Sequence, residues 1–225
     1  MNGFLGFPIF GKYFAGMTES YVSLLGLIFV VHLMAVMSPG PDFVMVVKNA
    51  VAHDRKTALL TASGIALGIG VHVAYSIWGV ALLLKRNPYL FRLVKAAGAL
   101  YLIYSGIKSM QAVPAMDPVS GEEAVSLPPA RKAIQTGFLT NVLNPKASLF
   151  FMSLFSALIP PDAPAWFLML TAFMLISVTF LWFAFVSLVF THRSVRARYK
   201  RYERLLGRFF GLLLMGIGLG ILWNL

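Results

Sequence analysis

A chain of 225 residues, 59% hydrophobic and only 12% charged, with a mean hydropathy of +0.79, lies far from the averages of soluble domains and reads as an integral membrane protein. Zero cysteines exclude disulfides, thiolate metal sites and a cysteine nucleophile. A net charge of +11 and a pI of 10.1 would suit nucleic acid, but most of the excess lies in one stretch beside apolar segments, which assigns it to a membrane surface instead.

Residues 1–16 lack the basic start and small-residue cleavage site of a secretion signal. They are expected to be a dispensable extension, with Met17 as the functional start; native protein that begins at Met1 on N-terminal sequencing contradicts this. Apolar runs near 21–38, 57–84, 88–110, 133–159, 165–190 and 205–224 come close to or exceed the roughly 20 residues that cross about 30 Å of hydrocarbon. The fold class expected is therefore an all-α membrane protein of six transmembrane helices in one bundle. Two of these runs are interrupted. Pro39 and Pro41 in Ser38-Pro39-Gly40-Pro41-Asp42, and Pro145 in Asn144-Pro145-Lys146, each lack the amide that continues a helix and bias the preceding residue away from helical geometry. The first run is expected to resume after its break to about Ala52, and the fourth to carry its break inside. Lipid satisfies no free backbone group, so paired breaks at membrane depth point to a wet cavity and a substrate site.

The residues at the breaks have complementary chemistry. Pro41 suits the first position of a resumed helix, and Asp42 then falls in the first turn, where the helix dipole favours an anion. A carboxylate inside a membrane pairs with a substrate ammonium or takes up a proton; the bland alternative is a capping aspartate at the membrane edge. At the second break Asn144 offers hydrogen bonds and Lys146 a cation that needs a partner, with Asn141 one turn earlier as a wall residue. Ser38, Pro39, Gly40, Pro41, Asp42, Asn141, Asn144, Pro145 and Lys146 are thus the candidate substrate-binding residues. The competing reading is an internal Asp42–Lys146 ion pair that only stabilises the bundle.

Gly64, Gly68 and His72, at four-residue spacing, share one helix face where the glycines permit close approach of a neighbour. His72 and Asp42 are the proton-coupling candidates. His32, alone in an apolar run, reads as a packed, hydrogen-bonded group, and Lys95, near its helix start, as a lysine that snorkels toward headgroups.

A linker over residues 111–132, rich in Pro, Ser and acidic residues, separates a first three-helix repeat, 17–110, from a second, 133–225. Met37-Ser38-Pro39 answers Leu143-Asn144-Pro145, and Lys95-Ala96-Ala97-Gly98 answers Arg208-Phe209-Phe210-Gly211. With an odd number of helices per half, the second copy enters the membrane from the opposite side, an inverted repeat. Between the fifth and sixth helices lie Arg193, Arg196, Arg198, Lys200, Arg201, Arg204 and Arg208, and opposite them Val195, Tyr199, Tyr202 and Leu206 recur at helical spacing. A short helix lying on anionic headgroups is expected there. Lys48, Arg55, Lys56, Lys108, Arg131 and Lys132 also fall in odd loops, against Lys12, Lys85, Arg86 and Arg92 on the other side, so odd loops are expected in the cytoplasm and both termini outside. Gly207-x-x-x-Gly211 and Gly216-x-x-x-Gly220 suit internal helix packing or a homodimer face.

Ser-Pro-Gly-Pro-Asp in the first helix, Gly64-x-x-x-Gly68-x-x-x-His72 in the second, Lys95-x-x-Gly98-x-x-Tyr101-Leu102 through Gly106 in the third, and Gly137 through Asn141-x-x-Asn144-Pro145-Lys146 in the fourth occur in one order over about residues 17–225. Together they resemble the LysE/RhtB family of amino-acid exporters, and the Pro-Asp form of the first motif is most similar to its homoserine/threonine members. The resemblance implies a six-helix protein of the bacterial inner membrane that exports amino acids. Asp42 is the only acid placed inside the membrane, whereas a lysine or arginine substrate would want a second, so a neutral polar amino acid is expected. The absence of a Walker-type loop points away from ATP and toward proton antiport. Without Gly-x-Ser-x-Gly, His-Glu-x-x-His or a pair of membrane aspartates, no enzyme, cofactor or metal site is expected. The alternative kept open is export of a different cargo, such as a metal cation, on a related inverted-repeat fold.

Overall fold

A computed structural model describes residues 8–86, 88–111, 128–160 and 162–223, and among them all regular structure is helical. In chain order the helices are α1 (Pro8–Met37), α2 (Pro41–Ala52), α3 (Arg55–Arg86), α4 (Pro88–Gln111), α5 (Ala130–Val142), α6 (Pro145–Leu158), α7 (Ala165–Val189) and α8 (Arg193–Trp223). Prolines punctuate them as their chemistry dictates. Pro41 and Pro145 open α2 and α6 at the first helical position, where a missing amide costs nothing, and Pro129 and Pro164 stand just before α5 and α7. α1 passes through Met17 without a break, and most of the expected linker, 112–127, lies outside the described residues.

By length and composition α3 over Arg55–Gly79, α7, and α8 over Arg204–Trp223 are long and apolar enough to cross a membrane. The pair Tyr21–Met37 and Pro41–Ala52, bent by 56°, counts as a fourth span if taken as one. The apolar distribution agrees with that setting: Trp78, Phe173, Leu181 and Leu212 face outward, whereas His32, Thr61, His72, Asn141, Thr171, Thr179 and Ser187 are buried.

Close helix contacts fix the relative directions. A Cβ on Gly64 would run into the Ile134 carbonyl oxygen, one on Gly137 into that of Thr61, and one on Gly68 would sit 2.5 Å from Asn141 Oδ1, so α3 and α5 run parallel with their backbones nearly touching. α4 and α8 run antiparallel, with Gly207 beside Ser109, Gly211 beside Gly106 and Gly218 beside Ala99. α1 and α7 run parallel: Tyr21 packs on Phe167 at 4.7 Å between ring centroids, and farther along His32 meets Leu175 and Thr179. One apolar cluster, including Phe151, Phe155, Phe167 and Leu214, fills the centre, and a second, including Phe43, Val46, Ile65 and Val186, fills the end beyond the α1–α2 break. At that end Arg55 Nε donates to Thr191 Oγ1 at 3.1 Å, tying the α2–α3 turn to the α7–α8 turn.

The basic segment departs from the expectation of a separate surface helix. It forms the first turns of α8, which runs unbroken from Arg193 to Trp223. No proline or glycine occurs from Arg193 through Leu206, and Gly207, tight against the Ser109 carbonyl, is used for packing rather than for a turn. The amphipathic pattern itself holds, with Val195 and Tyr199 packed on the second cluster and Arg198, Arg201, Arg204 and Arg208 exposed.

Candidate functional site

The two helix breaks meet in the bundle. α1 ends at Met37, the Ser38 amide just beyond it bonds to the Met34 carbonyl at 3.0 Å, and Gly40 in extended backbone carries the chain into α2. The last carbonyls of α1 have no partners in their own helix. Lys146 supplies one: its Nζ donates to Ser38 O at 3.1 Å and Ser38 Oγ at 3.0 Å, with Pro39 O at 3.5 Å. A cation in the first turn of α6 opposes that helix's own dipole, and its position at the negative end of α1 offsets this. A Cβ on Gly40 would lie 3.4 Å from Lys146 Nζ, so the glycine leaves room for the ammonium. Asn144 caps α6 by accepting from the Lys146 amide at 3.0 Å, and Ser38 Oγ also bonds to Ser109 Oγ of α4 at 3.1 Å.

Asp42 stands in the first turn of α2. Its Oδ2 accepts from Asn141 Nδ2 at 2.8 Å, and no hydrogen bond joins it to Lys146, whose donors are directed at α1. The internal ion pair weighed from the sequence is therefore replaced by two separate attachments, Asp42 to α5 and Lys146 to α1. Asp42 Oδ1 and Asn141 Oδ1 are buried acceptors with no partner among the described residues. Asn141 is held from two sides, by Gly68, which permits its side chain against α3, and by His72 Nε2, 2.9 Å from its carbonyl oxygen. A carbonyl only accepts, so Nε2 carries the proton and Nδ1 accepts from the Tyr75 hydroxyl at 2.7 Å. His72 and Asp42 thus share Asn141 as a hydrogen-bond partner.

A cavity of about 50 Å³ is lined by Ser38, Gly40, Asp42, Asn144 and Lys146, together with His32, Thr179 and a wall of Ala, Val, Ile and Phe side chains. Of the other sequence candidates, Pro39 contributes a carbonyl to Lys146, Asn141 and His72 stand behind Asp42, and Pro41 and Pro145 set the helix starts with exposed rings. Sequence reasoning passed over Phe151, which packs against the rings of both His32 and His72 at 5.6 and 5.7 Å, and over Thr179, whose Oγ1 lies 2.9 Å from His32 Nε2. A signal for Thr179 was present: Thr171, Thr179 and Ser187, eight residues apart, form a buried polar line on the largely apolar α7. Outside the apolar segments, Asp54 caps α3 by accepting from the Thr57 amide at 2.7 Å, which holds its carboxyl below the usual range. No group of three or more His, Asp or Glu among the described residues is placed to hold a metal ion.

Residues 33–224 match the family profile described as LysE type translocator, and the chain belongs to that family. It is 31% identical over 197 residues to a protein named threonine efflux protein from Salmonella typhi, covering 85% of this chain and 94% of the relative. The threonine efflux protein of Escherichia coli K12 is 31% identical over 193 residues, again covering 85% and 94%. A leucine efflux protein from Klebsiella pneumoniae is 31% identical over 205 residues, covering 89% of this chain and 93% of the relative. No solved structure matches the chain.

Proposed function

We propose that this chain is a secondary transporter that exports a neutral polar amino acid, threonine- or homoserine-like, across the bacterial cytoplasmic membrane in exchange for protons. The observation that carries the reading is the buried, unpartnered acceptor Asp42 Oδ1, on a residue that lines the cavity where the other break presents Lys146. An α-amino acid carries the matching charges: its ammonium supplies a donor for Asp42 Oδ1, and its carboxylate takes the Lys146 ammonium at the start of α6. Among the described residues Asp42 is the only acid lining the cavity, which favours an uncharged side chain over a second cation.

In this reading the chain crosses the membrane six times, as α1–α2, α3, α4, α5–α6, α7 and α8, with 17–110 and 133–225 as inverted repeats. Two observations support it. The parallel α3–α5 and α1–α7 contacts and the antiparallel α4–α8 contact suit alternating directions. Along α4 and α8, Gly106 meets Gly211 and Ala99 meets Gly218, and pairing Gly98 with Gly211 as repeat equivalents carries the first contact onto the second to within a residue. Odd loops then lie in the cytoplasm with both termini outside, and the exposed arginines of α8 face anionic headgroups. Gly207 and Gly211 are used against α4, so a homodimer would need another face, such as that of Gly216, where a Cβ would meet nothing within 4 Å.

Asp42, alternating between proton and substrate ammonium, couples the two fluxes, and His72 tunes it through Asn141. One proton moving inward gains roughly 2.3 kcal/mol per 100 mV. At about 150 mV, one-for-one exchange sustains roughly a 300-fold outward gradient of a zwitterion, every 1.4 kcal/mol being tenfold. Inside-out vesicles given a panel of labelled amino acids should accumulate threonine or homoserine, faster with an acid interior. Accumulation of no amino acid would refute the export reading.

A further inference from the structure

The two buried histidines differ in one respect. Both ring nitrogens of His72 are bonded, one to the Asn141 carbonyl and one to Tyr75. His32, 0% exposed, is bonded on one side only: Nε2 lies 3.1 Å from the Leu175 carbonyl oxygen and 2.9 Å from Thr179 Oγ1, while Nδ1 is buried without a partner. The Leu175 carbonyl accepts, so Nε2 carries the proton; a second proton on Nδ1 would have no acceptor among the described residues, which leaves Nδ1 as a lone-pair acceptor. The ring forms part of the wall of the cavity that holds Asp42 and Lys146. Away from the two breaks that wall is apolar apart from His32 and Thr179, and Thr179 Oγ1 is already engaged with Nε2. A buried acceptor left unpaired, on a ring that lines the cavity and is held at its other nitrogen, is a donor-seeking group.

We infer that His32 reads the substrate's side chain, its Nδ1 accepting a hydrogen bond from a side-chain hydroxyl once the α-amino and carboxylate groups are held at the two breaks. This rests on the cavity being the amino-acid site and adds the specificity element to it. An aliphatic isostere fills the same space but leaves Nδ1 unpaired, and a site built to bond a hydroxyl discriminates against the analogue that lacks it far more strongly than a hydrophobic pocket discriminates by one methylene. α7 is the element that orients the reader, since Leu175 and Thr179 fix which nitrogen is protonated.

The test is the ratio of kcat/KM for threonine over valine, which carries a methyl in place of the hydroxyl, measured by uptake into proteoliposomes. The wild-type protein should prefer threonine by about tenfold or more. His32→Leu should bring the ratio to near unity, whatever happens to the absolute rates. His32→Gln keeps an N–H for the Leu175 carbonyl but moves the acceptor, and should lower the ratio at least about threefold; it serves where the leucine variant does not fold. A wild-type ratio near unity, or an unchanged ratio in either folded variant, overturns the assignment while leaving amino-acid export standing. Transport of no amino acid by the wild-type protein overturns both.

Discussion

Lys146→Met separates a lysine that holds α1 from one that only balances Asp42. Its removal leaves Ser38 O without the 3.1 Å donor and Pro39 O without the longer 3.5 Å one, while Ser38 Oγ keeps Ser109 as a partner. At about 1–3 kcal/mol for a buried carbonyl left unpaired, and less for the longer contact, the loss is about 2–4 kcal/mol; relief of the buried charge's desolvation sets the lower figure. For a chain of this length that is a fall in Tm of about 5–15 °C. Asp42→Asn keeps an acceptor for Asn141 Nδ2 and should change stability by no more than about 1 kcal/mol, yet abolish export. The double variant should then melt with Lys146→Met and remain inactive. A contact ion pair behaves otherwise: each single loss costs about 3–5 kcal/mol and removal of both recovers it. Melting followed by tryptophan fluorescence in detergent, with export measured in inside-out vesicles, decides the matter. A double variant that regains the wild-type Tm and transports would refute both the carbonyl role of Lys146 and the binding role of Asp42.

Gly137→Ala places a Cβ against the Thr61 carbonyl, backbone that cannot swing aside, and should cost about 1–3 kcal/mol and most of the export by moving Asn141 off Asp42. Gly216→Ala, where a Cβ meets nothing within 4 Å, should leave Tm unchanged or raised; equal melting of the two variants would contradict the α3–α5 contact. In this cysteine-free chain, a cysteine at Arg198 should be shielded from a membrane-impermeant thiol reagent in intact cells and one at Asp162 should label. Labelling at Arg198→Cys would reverse the orientation assigned from loop charge.

The breaks were legible because proline chemistry is local: Pro41 and Pro145 determine where α2 and α6 begin whatever packs around them. Gly64 and Gly68 were legible as a close-packing face, and that face meets α5. The partners of Asp42 and Lys146 were not. Opposite charges suggest each other from sequence, but whether they meet depends on where α1's free carbonyls and Asn141 lie, and those positions follow from the α3–α5 and α1–α7 contacts between residues 70 to 150 apart in the chain. The continuity of α8 was missed for a related reason. A change from basic amphipathic to apolar composition marks a change of surroundings, and a helix needs a turn residue to break there, which Leu205, Leu206 and a packed Gly207 do not supply.

The size of the cavity bears on how such a site would work. At about 50 Å³ it has room for a few waters at roughly 10–15 Å³ each. Lys146 bonds α6 to the end of α1 beside this space, so a substrate that takes the ammonium has to part that contact. Lys146 is the natural latch in the proposed mechanism, because it bonds α6 to the end of α1. A substrate carboxylate is a stronger acceptor for an ammonium than a neutral carbonyl is, so its arrival would draw Lys146 away from Ser38 and Pro39 and free the end of α1. Those carbonyls then need water, which the opening itself admits. Binding would thus loosen the contact between α6 and α1, and departure of the substrate would restore it, with no need for the two charged residues to pair with each other.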